Sequence, residues 1–131
     1  MDRFTEIFAP IIGRVLVGGF FLWVGIEKTL NFSATAQFIS SHGVPAPALA
    51  AVLVVAVEVL GGIALVAGYR TALTALVLAV FTIATLPLYA SFDSEAGVSL
   101  FLQTMAIVGG LFYMSAFGSG AWERTQIRRR N

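Results

Sequence analysis

The sequence predicts an all-α integral membrane protein, an antiparallel four-helix bundle with a short outer interfacial helix between its first and second spans. Three observations carry this. The chain of 131 residues is 58% hydrophobic and 11% charged, with mean hydropathy +0.89, far from the balance of a soluble domain. Four apolar runs, Ile7 to Ile26, Pro47 to Ala67, Ala72 to Ala90 and Val98 to Phe117, each approach the roughly 20 residues a helix needs to cross about 30 Å of hydrocarbon. The connections between the last three runs are short and polar, which makes neighbouring spans antiparallel within a single domain, residues 1–131.

The first run is too long for a signal peptide's apolar segment and has no evident small-residue cleavage site, so it is expected to remain as a helix. It carries Arg14, Gly18, Phe21, Gly25 and Lys28 at alternating spacings of four and three, which puts all five on one face. The following connection, Asn31 to Pro47, repeats Phe32, Ala36 and Ile39 at helical spacing. These residues predict the interfacial helix, with Asn31 or Ser33 capping its start, Gly43 turning left-handed at its end and Pro45 preventing continuation. His42 falls at that end and reads as a solvated loop histidine.

The second span is wholly apolar or glycine from Leu49 to Ala67 except for Glu58. A carboxyl at bilayer depth costs a few kcal/mol on insertion scales, so it calls for a partner, a cavity or a pathway. Glu58, Gly61, Gly62 and Leu65 share a face. In lipid no hydrophobic force drives helices together, and glycine faces mark where backbones approach, so Gly18, Gly25, Gly61 and Gly62 are expected to pack the first two spans.

With the helix ends taken as level, Arg14 lies roughly 10 Å and Glu58 roughly 14 Å into the bilayer from the same side, and Lys28 lies out of reach of Glu58. The expectation is therefore a buried Arg14–Glu58 ion pair. The alternative has Arg14 reaching the inner headgroups and Glu58 hydrogen-bonded to a hydroxyl.

The tight turn Gly68-Tyr69-Arg70-Thr71 leads to the third span, whose stripe is Thr71, Thr74, Leu78, Thr82, Thr85 and Tyr89. Threonines in such helices usually bond their own backbone. Pro87 should kink the helix or open its last turn. After the polar loop Ser91 to Gly97, the fourth span presents Gln103, Ala106, Gly110 and Tyr113 on one stripe. Together the stripes outline a polar seam with Arg14 and Glu58 at its floor and the candidate ligand-binding residues Lys28, Tyr89 and Gln103 at its outer mouth. Tyr69 and Trp122 near one surface, and Trp23 and Tyr89 near the other, fit interfacial anchors.

Arg3, Arg70, Arg124 and Arg128 to Arg130 fall on one side of the spans, whereas Lys28, Glu27, Asp93 and Glu95 fall on the other. The positive-inside rule then puts both termini in the cytoplasm. A net charge of +1 gives no reason to expect a nucleic-acid partner. The arginine-rich tail reads as a stop signal at anionic headgroups. With no cysteine and one histidine, the chain supplies no disulfide, thiolate metal site or bis-histidine haem site. No covalent cofactor or metal is expected.

Arg14 with Gly18, the segment Gly25-Ile26-Glu27-Lys28, the loop Gly43-Val44-Pro45, Glu58-Val59-Leu60-Gly61-Gly62 leading to Gly68, and Gly118-Ser119-Gly120 occur in an order that resembles the DoxX family of small bacterial membrane proteins, and within it the YqjF-like members. The resemblance covers nearly the whole chain and implies a four-helix inner-membrane protein. Some relatives look like small subunits of quinone-linked oxidoreductases, and others are associated with thiol or oxidative stress. The family's arginine, lysine and glutamate positions map onto Arg14, Lys28 and Glu58. A histidine that members often carry near the outer end of span three is Tyr89 here.

Three functions fit these residues. The first is an accessory membrane subunit, not catalytic alone, that binds a quinone or other lipophilic molecule and serves a redox-enzyme partner. The second is a small proton-coupled transporter, acting as a homo-oligomer, that uses Glu58. The third is a non-catalytic scaffold. Apolar walls with a few convergent polar groups suit the first.

Overall fold

The computed structural model describes residues 4–89 and 92–118, with the side chains of Phe4 and Tyr89 excepted. A π-helical segment, Phe4–Phe8, leads into α1 (Ala9–Leu30). Then come α2 (Phe32–Ser41), α3 (Pro47–Ala67), α4 (Thr71–Tyr89) and α5 (Glu95–Phe117). The described residues contain no strand. Among the described residues four helices are long and apolar enough to cross a membrane, one of them running from Thr5 through Leu30.

Two boundaries move from the sequence reading. Helix α1 continues to Leu30, so Lys28 stands on the helix rather than beyond it. The last helix starts at Glu95 because the Ser94 hydroxyl accepts a hydrogen bond from the Gly97 amide at 3.1 Å and so satisfies one of the first-turn donors. Pro87 stands inside α4, close to its C-terminal end at Tyr89.

The short α2 buries Ile39 against Ala51 and Val54 of α3, with Phe32, Ala36 and Phe38 around them. Its N-terminal cap differs from expectation, whereas its C-terminal end follows it. The Asn31 side-chain amide donates to the Glu27 carbonyl at 3.1 Å, closing α1 instead of opening α2. At the other end Gly43 takes φ +78, the left-handed geometry that a Cβ opposes, and the His42 ring, exposed, bonds the Phe38 carbonyl at 2.8 Å.

Packing follows the order α1, α3, α4, α5, with α1 lying along α3 and α5 along α4. Helices α1 and α5 scarcely touch, which leaves a cleft between them. Below it Phe21, Leu65, Ala75, Leu78, Ala79 and Leu111 form the buried core shared by all four long helices. Outward-facing side chains such as Leu16, Trp23, Leu53, Leu60, Val80 and Leu102 are exposed and apolar, the surface that lipid solvates.

Glycines set the register of α1 on α3. A Cβ on Gly62 would stand 2.7 Å from the Leu22 amide nitrogen and 2.8 Å from the Gly18 carbonyl oxygen, both backbone atoms. One on Gly25 would stand 2.7 Å from Val59 and 3.2 Å from Glu58 Cβ. Gly61, although adjacent to Gly62, faces the other way, with Leu78 of α4 2.8 Å from its would-be Cβ. Thus α3 uses two successive glycines to admit two different neighbours.

Candidate functional site: a buried ion pair at an apolar cavity

The register decides which charges meet. Gly25 lies beside Glu58, and Lys28 stands one turn further along the same face of α1. Lys28 Nζ accordingly donates to Glu58 Oε1 at 2.8 Å, with the two side chains only 17% and 7% exposed.

The expected Arg14–Glu58 pair does not form. Arg14 is level with Gly68, which lies roughly 15 Å along α3 from Glu58 at about 1.5 Å per residue. The estimate from levelled helix ends failed because α1 overhangs: Arg14, not Ile7, is level with the end of α3. The contact between Gly18 and Gly62 fixes that offset.

The polar seam divides accordingly. One cavity, of about 310 Å³, is lined by Lys28 and Glu58 together with Phe20, Phe21 and Val24 of α1, Phe81 and Leu86 of α4, and Leu100 and Ile107 of α5. Thr82, Thr85 and Thr104 also border it, but their hydroxyls donate to the carbonyls of Leu78, Phe81 and Leu100 within their own helices. Their donors are thereby spent, as is usual for threonine in a membrane helix. Glu58 Oε2 is buried with no hydrogen-bond partner among the described residues. A buried acceptor in this condition costs about 1 to 3 kcal/mol, more if charged, until a donor reaches it.

Gln103 is elsewhere. It is exposed on α5, donates to Ser99 at 3.3 Å, and borders a surface depression with Phe92, Asp93 and Leu102. Its place at the mouth of the Glu58 cavity is corrected, because the helical turn that carries Leu100 and Thr104 into the cavity carries Gln103 out of it. The side chain of Tyr89 lies outside the described residues, as do Arg3, Trp122, Arg124 and Arg128 to Arg130. No group of three or more histidine, cysteine, aspartate or glutamate side chains that could hold a metal occurs among the described residues.

The site combines one buried ion pair, one acceptor in need of a donor and walls of aromatic and aliphatic carbon. Such a pocket suits a lipid-soluble molecule with a polar head. Comparison with known proteins bears on what kind of protein holds it. The family described as DoxX matches residues 9–91. The chain belongs to the DoxX family. This DoxX protein is 34% identical to the inner membrane protein YqjF of Escherichia coli (strain K12) over 113 residues, 86% of this chain and 85% of that one. It is 28% identical to the inner membrane protein YphA of the same organism over 117 residues, 85% of this chain and 84% of that one. No solved structure matches. Four membrane-length apolar helices and relatives named as inner membrane proteins agree, and this DoxX protein is an integral membrane protein.

Proposed function

We propose that this DoxX protein is an accessory membrane subunit that binds a quinone, in its oxidised or reduced form, in the cavity capped by Lys28 and Glu58, and serves a redox-enzyme partner. The observation that carries the reading is the unpartnered Glu58 Oε2 at the polar end of an otherwise apolar cavity of about 310 Å³. That volume is at the small end of ligand sites, which suits a ring headgroup inside and a tail leaving between α1 and α5.

A bound quinone supplies two-electron, two-proton redox chemistry, its electrons exchanged with the partner enzyme. The chain's own residues hold and orient it. The Lys28 ammonium donates toward a carbonyl oxygen of the ring, and its pairing with Glu58 fixes where that donor points. Glu58 Oε2 accepts from a ring hydroxyl, the group that the reduced form alone presents. Phe20, Phe21 and Phe81 exclude water from both contacts. The absence of cysteine agrees with a subunit that binds rather than relays electrons through its own thiols.

The transporter reading is less well supported. A carboxylate that exchanges protons with a substrate is poorly served by an ammonium held against it at 2.8 Å. A scaffold would not explain an acceptor left open in the cavity. We take the chain to lie with both termini in the cytoplasm, on the distribution of Arg70, Arg124 and Arg128 to Arg130 against Asp93 and Glu95.

The test is thermal unfolding of the purified chain in mild detergent with a short-tailed quinol, its quinone, and an apolar arene of similar size. Ligand that binds the folded state raises the melting temperature by mass action. The quinol should raise it most, and Glu58→Gln and Lys28→Met should reduce that shift. Equal shifts by all three compounds, or a quinol shift unchanged in both variants, would remove the proposal.

A further inference from the structure

We propose a second, separate ligand site: Arg14 holds the phosphate of an anionic phospholipid whose acyl chain lies in the cleft between α1 and α5. Arg14 is 9% exposed, and its Nε and Nη1 atoms are buried without a hydrogen-bond partner among the described residues. A guanidinium is always charged, so burial without an anion is expensive and a bound anion relieves it. The site also makes room for this side chain. Gly68 takes φ +77, and a Cβ there would stand 2.8 Å from Arg14 Nη1.

The cleft beside Arg14 measures about 720 Å³ and is walled by Pro10, Val17, Gly110, Met114 and Phe117. Its length of hydrocarbon wall suits an alkyl chain, and the planar fork of the guanidinium matches the oxygens of a phosphate. Depth selects the source of the anion. Arg14 is level with Gly68, at the turn where α3 ends and α4 begins, so it stands where spans meet the headgroup layer. A phosphodiester is the anion that a bilayer presents at that level, attached to the chain that the cleft accommodates. Glu6 borders the same cleft and is exposed, which favours a headgroup bringing hydrogen-bond donors of its own, such as the hydroxyls of phosphatidylglycerol. The site lies at the opposite end of the bundle from Lys28 and does not depend on the quinone proposal.

The experiment compares short-chain phosphatidylglycerol, phosphatidylcholine of the same acyl length and inorganic phosphate as stabilisers of the purified full chain in a neutral detergent. Phosphatidylglycerol should raise the melting temperature, with phosphatidylcholine and inorganic phosphate far weaker. Arg14→Gln should weaken the phosphatidylglycerol effect roughly tenfold or more in concentration, the loss expected of a charge-assisted hydrogen bond. Gly110→Leu keeps Arg14 and fills the cleft, since a Cβ there meets nothing within 4 Å among the described residues, and should also weaken it. If Arg14→Gln does not fold, Gly110→Leu decides alone. Equal stabilisation by phosphatidylcholine, equal stabilisation by inorganic phosphate, or a phosphatidylglycerol effect that survives Gly110→Leu each overturns the lipid site.

Discussion

Replacing Lys28 by methionine while leaving Glu58 in place isolates the interaction that organises the bundle's interior. Unit charges 2.8 Å apart attract by about 6 kcal/mol at an effective dielectric constant of 20 and by about 1.5 kcal/mol in bulk water. The side chains are 17% and 7% exposed, so the interior figure is the closer bound, and the desolvation of both ions offsets much of it. Breaking such a pair by removing one partner costs about 3 to 5 kcal/mol, because the other charge stays buried. The two single changes are not equivalent. Lys28 can extend its ammonium toward the interface when Glu58 becomes glutamine, whereas Glu58 sits mid-span and cannot follow a lost lysine. Lys28→Met should therefore fall in the upper part of that range and Glu58→Gln below it.

The double variant should cost about 2 to 3 kcal/mol less than the sum, which is the coupling energy of the pair. Unfolding in a detergent–denaturant titration, followed by far-ultraviolet circular dichroism, gives the four free energies of the cycle. The same cycle on Arg14→Gln and Glu58→Gln should be additive within about 0.5 kcal/mol, since those groups are roughly 15 Å apart along the helices. Additivity at Lys28 and Glu58 together with coupling at Arg14 and Glu58 would refute the register on which the site is built.

Gly62→Ala puts a methyl 2.7 Å from one backbone and should destabilise by about 1 to 3 kcal/mol in the same titration, whereas Gly109→Ala, with nothing within 4 Å of its Cβ among the described residues, should be neutral or slightly stabilising. Ile39→Ala removes the fully buried contact of α2 on α3 and should cost about 2 to 5 kcal/mol, with faster amide exchange in Phe32–Ser41 before the long helices open. Reporter fusions after Asn131 and between Asp93 and Gly97 should score as cytoplasmic and exported respectively, and an exported C-terminus would reverse the orientation.

Much of the fold is legible in the sequence because bilayer thickness imposes a length on each apolar run, and the face bearing Arg14, Gly18, Phe21, Gly25 and Lys28 is fixed by helical period alone. The short helix over Phe32–Ser41 announces itself through Phe32, Ala36 and Ile39. Register is different. It depends on which glycine meets which backbone, and helix-end counting ignored the overhang of α1, so it paired Glu58 with Arg14 instead of Lys28. The signal that locates the pair was present: setting Gly18 against Gly62 brings Gly25 to Glu58 and Lys28 within reach. Gln103 was misplaced for a related reason. A polar residue on a membrane helix draws attention, yet a half-turn decides whether it faces a cavity, and Ser99 satisfies it on the outside. The threonines bordering the cavity and the phenylalanines that wall it carry no sequence mark that separates them from ordinary span residues.

The most direct test of the proposed quinone site is photolabelling of the chain in native membranes with an azido-quinone, followed by peptide mapping. Labels are expected on Phe20, Val24, Phe81, Leu100 or Ile107, competed away by unlabelled quinol and reduced in Glu58→Gln. Labels spread evenly over lipid-facing residues such as Leu16, Leu53 and Leu102, unaffected by competitor, would contradict it.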